Sequence, residues 1–254
     1  MSFDGQIEMR QRLKLLVAYD GAHFAGWQSQ KHGRTVQDHL ERAFHRITGE
    51  LVRVHGAGRT DAGVHALAQC AHVDVHKRLA PEGWTAALNS CLPTQLRVLR
   101  CRRVADDFHA RFSAKGKIYR YRIWSGEILP PLEFGRAWHL PRDLDLKVMK
   151  KAGDHFVGRH DFAGFAANRG HQEHDTVRTI RRVSVRRKGF TWTLEFDGDG
   201  FLYKMVRLMV GALTECGTGK ISEEHVASRL RRAGKSGTRF AAPAGGLYLV
   251  RVRY

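Results

Sequence analysis

The sequence predicts an α+β fold built from two halves, each running strand, helix, strand, strand, helix, strand. Three observations lead to it. Apolar residues alternate in some segments and recur at helical spacing in others. Both kinds of segment follow one another in the same order twice, and glycines or prolines punctuate the changes between them.

In the first half, Leu13, Leu15, Leu16 and Val17 mark a strand over residues 12–19, closed by Asp20-Gly21. Thr35 suits the cap of a helix, with Asp38 three residues on as an imperfect capping box. Val36, Leu40, Phe44 and Ile47 form its apolar stripe, and Gly49 suits the position after its end. Residues 51–55 read as a second strand. Residues 68–75 alternate, with Ala71, Val73 and Val75 on one face and His72 and Asp74 on the other. Pro81 opens a short helix to about residue 89, and residues 96–103 form an Arg-rich fourth strand.

The second half begins near Phe108. Residues 115–124 alternate, putting Tyr119, Tyr121 and Ile123 on one face and Arg120 and Arg122 on the other. A helix is expected over 143–156, then two strands over 179–188 and 191–197 joined through Lys188-Gly189. Residues 201–216 read as a strongly apolar helix, 223–232 as a short basic one, and 247–254 as the last strand. Each half therefore fits the split βαβ, ferredoxin-like or RRM-like arrangement with an antiparallel sheet. The expected domains are 1–108 and 109–254, with a basic cleft for the active site between them.

Between the second and third strands lies Gly56-Ala57-Gly58-Arg59-Thr60-Asp61-Ala62-Gly63-Val64-His65. Its glycines let the backbone turn and approach another molecule closely, and it presents one cation, Arg59, and one carboxylate, Asp61. Loops on a rigid scaffold commonly carry chemistry; a surface hairpin with an incidental ion pair fits the local pattern equally well. A dinucleotide fingerprint is excluded, because its third glycine is replaced by Asp61 and no helix follows.

The chain has 254 residues, enough for a substantial core, and 43 Lys and Arg against 25 Asp and Glu give a net charge of +18. That excess points to a polyanionic partner, nucleic acid before an anionic membrane surface. No apolar run reaches the ~20 residues of a membrane span, and the polar residues 1–12 lack a signal-peptide core, so a cytoplasmic protein is expected. Cys70, Cys91, Cys101 and Cys216 lack paired spacing and read as reduced small hydrophobes. His171, Glu173, His174 and Asp175 read as a polar loop rather than a metal site, since no second ligand cluster accompanies them. Residues 233–236 lack the upstream glycine of a phosphate loop. At 197–201, Phe201 stands where a calcium loop needs its third oxygen ligand.

Asp61 is the leading candidate for chemistry because nothing near it in sequence explains a structural carboxylate. Arg59 could keep it ionised, hold phosphate or stack on a base. Tyr119 reads on periodicity as a packed strand aromatic. Arg207 falls within the apolar helix, where a buried cation needs a partner such as Asp61; helical spacing also allows it a solvent-facing position.

Taken together, these segments resemble one family. Residues 58–65, Gly-Arg-Thr-Asp-Ala-Gly-Val-His, are similar to the catalytic motif of the TruA family of tRNA pseudouridine synthases. So, in the family's order, are Tyr19-Asp20-Gly21 with Gly26-Trp27-Gln28, the Asp107 to Ala114 stretch, Tyr119-Arg120-Tyr121, Met205-Val206-Arg207, and Gly246-Leu247-Tyr248-Leu249-Val250. The likeness runs from about residue 13 to 253. It implies isomerisation of uridine to pseudouridine at positions 38, 39 and 40 of the tRNA anticodon stem-loop, without a cofactor or metal, by a homodimer that holds one tRNA across both subunits. It also implies Asp61 as nucleophile, Tyr119 stacked on the target base, Arg207 paired with Asp61, and Arg59 holding the flipped-out nucleotide. The rival expectation from another class is a non-catalytic RNA-binding protein with paired RRM-like sheets, against which the strands' lack of an aromatic-rich stacking motif counts. A methyltransferase is disfavoured because no glycine-rich strand-to-helix loop is present.

Overall fold

The computed structural model describes residues 10–167, 175–231 and 240–254. The chain is mixed α and β and divides into two units. One comprises Met1–Ala62, Ala66–Ala114 and Tyr254; the other comprises Gly63–His65 and Lys115–Arg253.

The first unit contains β1 (Gln11–Tyr19), α1 (Val36–Thr48), β2 (His55–Gly56), β3 (beginning at His65 and ending at Val75), α2 (Pro81–Cys91) and β4 (Leu96–Val104). Its strands run in the order β4-β1-β3 with β2 paired to β3, all antiparallel. Leu13, Leu15 and Val17 of β1 are fully buried, as are Leu40 and Phe44 of α1 and Trp84 and Leu88 of α2. The two helices meet where the Phe44 and Trp84 rings lie 5.5 Å apart.

Local chemistry sets the ends of α1. The Thr35 side chain accepts from the Asp38 N–H while the Asp38 carboxylate accepts from the Thr35 N–H, completing the capping box. Gly49 closes the helix at φ 77°, a left-handed conformation that glycine adopts without steric cost. The strand expected at 51–55 shrinks to β2. Leu51 is 92% exposed, and the Val54 N–H donates to Glu41 Oε1 of α1 instead of to a ladder.

The second unit contains β5 (Gly116–Trp124), β6 (Trp138–His139), α3 (Leu146–Asp154), β7 (Gly158–Asp161), β8 (Val177–Lys188), β9 (Thr191–Gly198), α4 (Met205–Gly217), α5 (Glu223–Arg231) and β10 (Leu247–Arg253). The order is β10-β5-β9-β8-β7, antiparallel throughout, with the short β6 parallel to β5. Helix α3 starts later than expected because the Asp145 side chain accepts from the N–H groups of Lys147 and Val148 and fixes the cap there. Helix α4 starts at Met205 rather than 201, since Lys204 sits at φ 57°, outside the helical region.

Apart from Arg207, which is half-buried, α4 is buried through its first two turns. A Cβ at Gly211 would lie 2.1 Å from the Phe240 carbonyl oxygen, so that helix and the segment leading to β10 touch backbone to side. Asp197, part of the segment weighed as a calcium loop, is held between Arg253 at 2.6 Å and Arg181 at 3.3 Å. Cys70, Cys101 and Cys216 are buried and Cys91 partly so, all unbridged; burial pushes the Cys101 thiol up to about 12 and the Cys216 thiol to about 11. Among the described residues, no helix is long and apolar enough to cross a membrane.

Because Thr35 is fully buried and closes both halves of its capping box, Thr35→Ala is expected to lower stability by roughly 1–2 kcal/mol. The check is the urea midpoint at constant slope, and an unchanged midpoint would remove the cap from the account.

Candidate active site

The Asp61 loop leaves β2 and is pinned by groups far away in sequence. The Trp27 N–H donates to the Thr60 carbonyl at 3.0 Å. Gln69, fully buried on β3, donates from Nε2 to the Gly58 carbonyl at 2.9 Å while its Oε1 accepts from the Cys70 N–H. The buried Tyr19 hydroxyl shares a 2.8 Å hydrogen bond with Thr60 Oγ1, and burial pushes its phenol up to about 12. The loop is therefore fixed at Gly58 and Thr60, on either side of Arg59 and just before Asp61.

Gly26 shows how tight that fit is. At φ 91°, a Cβ there would stand 2.8 Å from the Thr60 carbonyl oxygen and 3.2 Å from the Asp61 carbonyl carbon. No L side chain enters that space without moving the loop. The same short stretch also receives α1, whose Val36 and Gln37 N–H groups donate to the Gly26 and Trp27 carbonyls at 3.1 Å each. The N-terminus of α1 and the Asp61 loop thus share one mount. Asp61 is half-buried and Arg59 exposed.

The loop's far end is fixed within the second unit. His65 is 3% exposed and its Nε2 lies 2.9 Å from the Gly135 carbonyl and 3.0 Å from that of Gly245. Both neighbours are acceptors, so Nε2 carries the proton. The ring stacks on Tyr248 at 4.6 Å and 18°, and the Tyr248 hydroxyl donates to the Arg136 carbonyl.

Tyr119 and Arg207 lie in the same second unit. Tyr119 is 7% exposed on β5, its ring edge-on to Phe201 at 5.0 Å. Arg207 donates from Nε to the Ala242 carbonyl at 2.7 Å, and its own carbonyl accepts from the Ala242 N–H at 3.0 Å. Next door, the fully buried Tyr121 hydroxyl donates to the Pro243 carbonyl at 2.7 Å; burial raises its phenol, and the Arg207 charge opposes that rise. Arg59 and Asp61 are thus brought together on one loop, and Arg207 beside Tyr121 by the 242–243 segment.

Sequence reasoning does not give the contacts that hold the loop. Gln69 had one available signal, an amide side chain in the middle of an otherwise small and apolar stretch. Gly26 is marked by the motif resemblance, but nothing local shows what it holds, because its partner is backbone more than thirty residues away. His171, Glu173, His174 and residues 233–236 lie outside the described residues. Among those described, no group of three His, Cys, Asp or Glu residues is placed to hold a metal ion.

A second cluster stands on the first unit's sheet. His55 of β2 pairs across the ladder with His72 of β3, and their rings stack at 4.9 Å. His109 meets the His72 ring at 4.5 Å. His72 is 2% exposed and its Nδ1 accepts from the Ala110 N–H. Burial first, then His109, His55 and Arg12, drive its pKa down from 6.5 to about 4, with Asp74 opposing.

Comparison with known proteins places the chain. The sequence profile of the family described as tRNA pseudouridine synthase matches residues 15–113 and 152–254. The chain belongs to that family. Its relatives include proteins named tRNA pseudouridine synthase A. That of Akkermansia muciniphila is 46% identical, with 96% of this chain and 95% of that protein covered. That of Solidesulfovibrio magneticus is 47% identical, with 96% and 91% covered, and that of Acetivibrio thermocellus 42%, with 96% and 100%. The family is one of isomerases that act on tRNA, so the enzyme class expected from the motif order is the one found.

The depressed His72 has a consequence for this synthase's stability. Above pH 6.5 the imidazole is neutral folded and unfolded; between 6.5 and about 4 only the unfolded chain takes up the proton. Stability should therefore fall as the pH drops through that window. His72→Gln should flatten the pH dependence of the urea midpoint there, and an identical slope would contradict the assignment.

Proposed function

We propose that this enzyme converts uridine to pseudouridine at positions 38, 39 and 40 of the tRNA anticodon stem-loop, with Asp61 as the nucleophile. The observation that supports it most is the half-buried Asp61 on a loop fixed at Gly58 and Thr60 by buried partners. A carboxylate carried on a backbone fixed in this way is positioned before substrate arrives, which is what positioning contributes to catalysis.

The chemistry conserves atoms. The N1–C1′ bond breaks, uracil turns, C5 bonds to C1′, and the C5 proton leaves as N1 gains one. No cofactor is needed. An ionised carboxylate serves as nucleophile toward ribose C1′ or base C6. The target base first leaves the stack, at a cost of a few kcal/mol, and Tyr119 offsets roughly 1–3 kcal/mol of it by stacking. Arg207 is the cation paired with Asp61, and Arg59 holds the extruded nucleotide. The net charge of +18 suits the polyanionic substrate.

The same reading extends to the whole chain. Its scaffold is two ferredoxin-like halves, supported by the recurrence of a fourth-first-third-second strand order, β4-β1-β3-β2 and β10-β5-β9-β8. The working form is a homodimer engaging one tRNA across both subunits, and the protein acts in the cytoplasm.

With tRNA carrying tritium at uridine C5, the wild type should release tritium to water, while Asp61→Ala and Asp61→Asn should lose roughly 10³-fold or more in rate and still bind tRNA. Full release by either variant, or tight binding by the wild type without release, would overturn the reading. Arg207→Lys should lower turnover more than affinity, since a point charge does not reproduce a bidentate carboxylate pair; equal losses would make Arg207 a phosphate contact.

A further inference from the structure

Residues 105–113 are bolted to the first unit's sheet. Arg12, itself paired with Asp74 at 2.7 Å, donates to the carbonyls of Asp106 and Phe108. The Ala110 N–H donates to His72, and the Tyr254 hydroxyl donates to the Ala110 carbonyl at 2.8 Å. A tight turn follows, in which the His109 N–H donates to Ser113 Oγ and the Ser113 N–H returns to the His109 carbonyl. His109 Nδ1 accepts from the N–H groups of Arg111 and Phe112, and burial and neighbouring cations lower its pKa.

On this rigid mount one large apolar ring is left outside. Phe112 is 77% exposed. It stacks on His109 at 4.3 Å and 30°, His109 stands on the buried His72, and the Arg111 guanidinium lies 5.7 Å from the Phe112 centroid. A column of rings thus runs from the sheet to the surface and ends in a free aromatic face with a cation beside it. A flat aromatic face flanked by arginine is the arrangement that accepts a nucleobase.

We propose that Phe112, backed by His109 and flanked by Arg111, is a stacking platform for an unpaired nucleobase of the tRNA substrate, separate from the base that reacts. The proposal rests on the family's tRNA substrate and not on the role of Asp61. The occupant follows from the flanking charge: β4 adds exposed Arg100, Arg102 and Arg103 to the same unit, a setting that favours a polyanion over an apolar protein surface.

The test measures tRNA affinity by filter binding with the full chain in the Asp61→Asn background, so that turnover does not consume substrate. Phe112→Ala and Phe112→Leu should each weaken binding about tenfold, while F112W restores it to within about twofold. The slope of affinity against salt should stay the same, because a base contact releases no counterions. In the F112W protein, tRNA and oligouridylate should quench the new indole fluorescence, whereas fully duplexed RNA should not. Wild-type affinity in Phe112→Leu, or an indole signal indifferent to tRNA, overturns the proposal. So does a halved solution mass in Phe112→Ala with tRNA affinity unchanged, which would make the ring a subunit contact. Loss of affinity at Phe112 together with full turnover in Asp61→Asn would sustain the platform and sink only the catalytic assignment.

Discussion

The hydrogen bond from the Trp27 N–H to the Thr60 carbonyl, with Gly26 pressed against the same backbone, is the contact on which the candidate site depends. Because the gap at Gly26 is too small for a methyl group, the loop has one position relative to β1, β3 and α1. Tyr19 and Gln69 add side-chain bonds from β1 and β3, and the same two-residue stretch caps the approach of α1. The bonds from Tyr19 and Gln69 are made by buried side chains, where each counts for more than it would in water. The backbone leading into Asp61 is thereby held by groups remote in sequence.

The second unit follows a similar logic around Arg207. A guanidinium near the start of an apolar helix is fixed by the Ala242 carbonyl, and that segment is fixed by Tyr121 and by the close approach of Gly211 to Phe240. Gly246 meets the Tyr121 ring, where a Cβ would lie 2.6 Å from Cζ. Within the same unit, His65 stacks on Tyr248 and its Nε2 lies against the Gly245 carbonyl. The Tyr121 and Tyr248 hydroxyls and the His65 imidazole donate to backbone carbonyls.

Legibility in the sequence followed the range of the interactions. Helix α1 could be read almost to the residue because Thr35, Asp38 and Gly49 act on their own neighbours. The strand expected at 51–55 failed because an apolar run says nothing about whether a partner strand is available, and Glu41 took the Val54 N–H instead. Strand β7 was missed because Gly-Arg-His-Asp carries no alternation, being an edge strand held through its backbone. In the sequence, Arg59 and Asp61 stand out by their glycine setting and the ordered motifs around them. The holding contacts of Gly26, Tyr19 and Gln69 cannot be read there, since their partners on the loop are remote in sequence. The His55, His72 and His109 cluster was equally invisible, because cross-strand register and a returning loop assemble it.

The central claim is that the fixed Asp61 carboxylate makes pseudouridine in the tRNA anticodon stem-loop. The most direct measurement is a nucleotide-resolution pseudouridine map of unmodified tRNA after incubation with the wild type and with Asp61→Asn. The account predicts pseudouridine at positions 38, 39 and 40 with the wild type and none there with the variant. Pseudouridine at other positions, or the same map from both proteins, would contradict it.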